Sequence, residues 1–144
     1  MSIPQEQNQV IAQRPAAINV KTLLIVTAVL DGLYAVNLLF VPQKFLEMHG
    51  LSVDAATLFT TRLLAPAVIS DTLLALFGLS FLHSQEALRA IAFKFFLSWG
   101  IGGLVILMGK LTIESMSTVA WVDVGFAAIF TAMWIYVFAK PQVT

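Results

Sequence analysis

Four long apolar runs fill most of this chain, at about 20–41, 55–82, 86–108 and 118–139. A helix needs about 20 consecutive apolar residues to cross a hydrocarbon core about 30 Å thick. In that core every backbone N–H and C=O must be satisfied within the segment, which leaves helices or closed barrels. Runs of this length without strand-like alternation select helices. The predicted fold is therefore all-α, an integral membrane four-helix bundle. Its short loops imply an up-down-up-down course with both termini on the same side. Composition agrees, with 59% hydrophobic and 11% charged residues in 144 and a mean hydropathy of +0.89. Soluble domains average about 45–50% apolar and 25% charged.

The ends of the runs carry stop signals. Pro42 closes the first, Gly109 is expected to end the third, and Lys140 with Pro141 the fourth. Asp54 or Ser52 is placed to cap the second helix, and Ser84 the third. Residues 1–18 are polar, contain Pro4 and Pro15, and read as a flexible tail without a signal-peptide pattern. Residues 19–144 form a single domain. In the linker 42–54, Phe45, Leu46, Met48 and Leu51 suit a short interfacial helix ended by Gly50, or an ordinary amphipathic connector. His49, beside Glu47, is expected to be a solvated interfacial residue.

Orientation follows from the basic residues. Arg14, Lys21, Arg89 and Lys140 fall on the side of the termini, against Lys44 and Lys110 on the other. Cationic loops stay cytoplasmic, so both termini are expected in the cytoplasm. A net charge of zero gives no pull toward nucleic acid. The absence of cysteine removes disulfides and thiolate chemistry, and two histidines are too few for a His-rich metal site. No cofactor is expected.

Five ionisable residues interrupt the runs: Asp31, Arg62, Asp71, Lys94 and Asp123. Each costs about 2.5–3.5 kcal/mol at a helix centre, so each requires a partner, a ligand or a route to the interface. Asp31 shares its helix face with Thr27, Ala28, Tyr34 and Ala35, and Asp71 with Ala67, Val68, Leu74, Ala75 and Gly78. Small neighbours at spacings of three and four mark helix–helix contacts. Asp31 and Asp71 lie at similar depth and are expected to share a polar pocket. Lys94 either reaches that pair or snorkels to the headgroups. Asp123, flanked by Ala120, Phe126 and Ala127, also points inward. Arg62 is nine residues from Asp71, which at about 100° per residue puts it on the opposite face. Either it snorkels outward or Pro66 bends the helix and lets it pair with Asp123. Three acids and two bases leave one surplus carboxylate, free to take a proton, a cation or the amine of an amphiphile.

Ser98 and Gly102 form a small-xxx-small pair suited to close helix packing, within the chain or in a homo-oligomer. The surrounding glycines lack the strand and the phosphate-binding Lys of a nucleotide loop. Nucleophile elbows, HExxH and other catalytic constellations are missing, so no catalytic or metal-binding residue is assigned.

The stretch Phe40-Val-Pro-Gln-Lys-Phe-Leu-Glu-Met-His-Gly-Leu-Ser-Val-Asp54, followed by Thr61-Arg62-Leu63-Leu64-Ala65, resembles the first loop and second helix of DoxX-like and related small bacterial four-span proteins. Those carry P-x-x-F-L-x-x-x-G and then A-R-L-x-G; here Thr61 stands for the alanine, and Pro66 follows where glycine is common. The resemblance covers about a fifth of the chain. It implies a four-helix bundle in a bacterial inner membrane and assigns no activity.

Three functions fit these features. One is a membrane module that binds a lipophilic or cationic small molecule, or serves as a subunit of a larger membrane complex. The second is a proton- or cation-coupled transporter, since small multidrug exporters also carry an acid in their first span, as Asp31 is here. The third is a membrane-embedded enzyme acting on a lipid or quinone.

Overall fold

Val20–Phe40 forms the first helix, α1, opened by Asn19, whose side chain accepts from the backbone N–H groups of Lys21 and Thr22. The computed structural model describes residues 18–139; the amino-terminal tail, Arg14, Lys140 and Pro141 lie outside them. Four further helices follow: α2 (Pro42–Met48), α3 (Ala55–Gly78, continued by a 3₁₀ turn, Leu79–Phe81), α4 (Gln85–Thr112) and α5 (Val119–Ala139). All regular structure among the described residues is helical. Four of the five helices are long and apolar enough to cross a membrane, at 21, 27 (with the 3₁₀ turn), 28 and 21 residues. At about 1.5 Å per residue, 28 residues span about 42 Å, more than a hydrocarbon core. Their outer faces carry Val29, Phe59, Leu63, Phe77, Leu104 and Ile129, all exposed. Lipid can cover such a surface at no cost; water cannot.

Local chemistry sets the boundaries. The Asp54 carboxylate accepts from Thr57 N–H at 2.8 Å and from Thr57 Oγ1 at 2.9 Å, so Asp54 rather than Ser52 caps α3. These bonds hold its carboxyl below the ordinary 3.8. Ser84 Oγ accepts from Ala87 N–H and caps α4. Gly109 does not stop α4, which continues to Thr112. The Met116 sulfur of the following turn would lie 3.4 Å from a Cβ at that position. Glycine there admits a neighbour instead of ending the helix. Pro66 sits inside α3, which runs on through it.

Helices α1 and α3 pack together, as do α4 and α5, while contact between α3 and α4 is sparse. Along α1 the inward residues Leu24, Ala28, Asp31, Ala35 and Leu38 are spaced by four, three, four and three. That is a coiled-coil seam with an aspartate at its centre. A Cβ on Gly103 of α4 would lie 2.7 Å from Ala127 Cβ of α5, and one on Gly100 3.5 Å from Thr131. The bare glycine backbone is what lets α5 come so close. Gly103→Leu is expected to force the pair apart and cost about 1–3 kcal/mol, the usual penalty of overpacking. Thermal unfolding in detergent micelles checks it, with an unchanged midpoint counting against the contact.

The two pairs join in two places. One is a dry core of Leu23, Leu24 and Ala28 from α1, Ala75 near the end of α3, Ile91, Ala92 and Phe95 from α4, and Phe130, Trp134 and Val137 from α5. Phe95 and Trp134 stack there with centroids 4.9 Å apart. The second joint is the docking of α2's carboxyl end on the α4–α5 turn. Ser117 N–H donates to His49 O at 2.8 Å and Ser117 Oγ to Met48 O at 2.6 Å. Gly50 makes that docking possible. Leu51 N–H returns to Leu46 O and Gly50 N–H to Glu47 O, a Schellman closure with Gly50 at φ +69°.

Candidate functional site

Between the two joints lies a cavity of about 460 Å³, lined by all four long helices and by α2. Pockets for small organic ligands run about 300–1,000 Å³. Its walls are largely apolar, with Leu30, Leu33, Val68, Ile106 and Phe126 among them, and they carry Asp31, Asp71 and Asp123 together. All three aspartates therefore face one interior space. Tyr34 lines it as well, as do Ser98 and Gly102.

Each aspartate meets a different environment. Asp71, half-buried on α3, takes the Lys94 ammonium through Oδ1. Lys94 thus turns inward, its Nζ also 4.8 Å from the centre of the Phe95 ring. Asp123, near the start of α5, accepts from His49 Nε2 at 2.6 Å. Asp31 is 8% exposed, and its Oδ2 is buried without a hydrogen-bond partner among the described residues. The surplus carboxylate thus has an address. It is Asp31.

His49 was not legible as a site residue. It is 4% exposed, not solvated. Its Nδ1 lies 2.8 Å from Phe45 O and its Nε2 faces the Asp123 carboxylate. A carbonyl can only accept, so Nδ1 carries a proton; Nε2 donates to the carboxylate. The Asp123 hydrogen bond holds the imidazole above its ordinary 6.5, opposed by burial and helped by the Phe45 carbonyl. In the protonated ring both N–H groups are engaged, so neither nitrogen is left to take a proton from a substrate. One signal pointed to it: Pro42, Leu46 and His49 are spaced by four and three, and all three are buried.

Arg62 takes no part in this space. It lies on an exposed face of α3, and Asp123 is engaged by His49 instead. Pro66 does not bring it round, because the α3 seam through Thr61, Ala65 and Ala75 keeps Arg62 on the outside. The close approach of α4 to α5 is also offset from Ser98 and Gly102. Gly100 and Gly103 make it, whereas a Cβ on Gly102 would meet nothing within 4 Å. Gly102 faces cavity, not helix.

Aromatic rings also border the space. Phe45 meets Tyr34 edge-on at 5.1 Å and His49 at 4.3 Å. Trp99 lines the wall and stacks on Phe130 at 4.7 Å. Among the described residues no cluster of three or more His, Asp or Glu side chains could hold a metal ion. No family model, curated protein or solved structure matches the chain.

Proposed function

We propose that this chain is a small polytopic membrane protein whose intramembrane cavity receives a lipophilic ligand with a polar or cationic end. The helices run up-down-up-down, with both ends of the chain on the cytoplasmic side. The bacterial inner membrane is the setting the DoxX-like resemblance implies. Support for the course comes from the dry core, where the first halves of α1 and α4 meet the second halves of α3 and α5. Support for the orientation comes from the basic residues near the chain ends.

The observation that carries the binding reading is that Asp31 lines an apolar cavity and its carboxylate has a buried oxygen without a partner. A buried acceptor without a partner costs about 1–3 kcal/mol, more if charged. A ligand donor placed there removes that penalty, and the apolar walls supply binding energy at about 25 cal/mol per Å² covered.

Native mass spectrometry of protein gently extracted from its own membrane tests this. The expected spectrum shows the chain with one bound small molecule, lost or diminished in Asp31→Asn. A spectrum of bare chain in both proteins would remove the reading. Retention of a protein partner instead would favour a subunit role. The same spectrum gives the oligomeric state.

A further inference from the structure

The chemistry around Asp31 specifies more than a lipophilic ligand. Of the acidic side chains on the cavity wall, Asp71 is paired with Lys94 and Asp123 with His49. Asp31 alone remains, 8% exposed with Oδ2 bare. The space therefore carries the complement of a single positive charge. An inorganic cation does not fit it. Sodium or magnesium takes a shell of oxygens, whereas this wall is mostly aliphatic and aromatic and the volume, about 460 Å³, far exceeds one ion. The volume calls for an organic body.

Two features fix the character of the charged end. A carboxylate beside a low-dielectric space calls for both a hydrogen-bond donor and an opposite charge, and a cation bearing N–H supplies the two in one group. A quaternary ammonium would leave Oδ2 without a donor. The second feature is aromatic. Tyr34, Phe45, Trp99 and Phe126 line the same space, and ring faces attract a desolvated cation and pack against a flat apolar body. Tyr34 lies three residues from Asp31, on the adjoining turn of α1.

We propose that the cavity binds a protonated primary or secondary amine with an aryl or alkyl body, its ammonium donating to Asp31 and its body lying among Tyr34, Phe45, Trp99 and Phe126. This rests on the reading of the cavity as a ligand site and names the class of ligand. Gly102 gives an independent handle. A side chain there projects into the cavity, meeting nothing within 4 Å of its Cβ, and leaves Asp31 untouched.

The test uses the full chain in phosphatidylcholine nanodiscs at pH 7.5, titrated by calorimetry against empty discs. The probes are 4-phenylbutylamine, its trimethylammonium analogue and 4-phenylbutanol. The amine is expected to bind at least tenfold tighter than the alcohol or the quaternary analogue. Asp31→Asn should erase that preference and leave the alcohol's affinity unchanged, a result that also shows the variant folded. Gly102→Leu should weaken amine and alcohol together. Equal binding of amine and alcohol to the native chain, or a preference that survives Asp31→Asn, overturns the ammonium assignment and leaves the cavity reading standing. Equal binding of the quaternary probe overturns the need for N–H. If no probe binds above empty discs, the cavity reading falls with it.

Discussion

Gly50→Ala is expected to destabilise this protein more than any other single methyl group added to it. A Cβ at Gly50 would lie 2.0 Å from Ser115 O, 3.1 Å from Ser115 C and 3.0 Å from Ser117 N, all backbone atoms that cannot swing aside as a side chain would. Gly50 also holds φ +69°, and the left-handed region costs an ordinary residue about 1–2 kcal/mol. The turn could yield only by giving up the bonds from Ser117 to His49 O and Met48 O, each worth about 1 kcal/mol. Together these give a loss of about 3–5 kcal/mol, in the range reserved for named structural faults. Thermal unfolding followed by circular dichroism in micelles measures it. Gly125→Ala is the control: its Cβ would meet nothing within 4 Å, and in a helix interior alanine gains about 0.5–1 kcal/mol over glycine. Equal midpoints for the two variants would show that the α2 junction does not hold the helix pairs together.

The contrast between Gly50 and Asp31 shows where sequence reasoning reaches and where it stops. The number of long helices, their approximate ends and the inward faces of Asp31 and Asp71 follow from periodicity, because burial along a helix repeats with the helix. The inward direction of Asp123 was legible for the same reason, but its place on the same space as Asp31 and Asp71 was not. Partner identity was not. Depth offered Arg62 as the partner for Asp123, while His49 read as a solvated linker residue. The choice is made by α2, a helix of seven residues whose docking depends on the conformation of Gly50 and on a turn more than sixty positions away. Spacing cannot report such a contact. The one-residue offset from Gly102 to Gly103 has a similar origin. Gly102 satisfies the small-xxx-small rule with Ser98, whereas Gly103 has Trp99 and Leu107 at that spacing; which glycine meets α5 depends on the crossing of the two helices. Sequence registers a face to within a residue; packing decides which residue touches.

Stability at the His49–Asp123 contact is expected to fall as pH climbs through the raised His49 pKa, which ties the closure of α2 to pH. The folded protein raises the His49 pKa above its ordinary 6.5, chiefly through the Asp123 hydrogen bond. A group raised on folding contributes fully below its unfolded value and loses the contribution as pH climbs through the folded one. The contact is therefore intact near pH 6 and weakens above the raised value, when the imidazole gives up a proton and one of its two acceptors loses its donor. A hydrogen bond to a charged group contributes about 1.5–3 kcal/mol when buried. With side-chain exposures of 5% for His49 and 26% for Asp123, the lower end of that range applies. The expected readout is amide hydrogen exchange across residues 42–51, rising with pH beyond the intrinsic chemical rate in the native chain. Asp123→Asn should exchange faster at pH 6 and lose the extra pH dependence, since the imidazole then has no carboxylate to hold it charged. His49→Gln should behave alike. An identical excess of exchange in native and Asp123→Asn protein would assign the loosening with pH to some other group. Because Phe45, Met48 and His49 all line the cavity, release of this contact frees one wall of it while Asp31 stays seated in the α1 seam. Opening of the space and the charge that attracts a ligand are thus controlled by different residues.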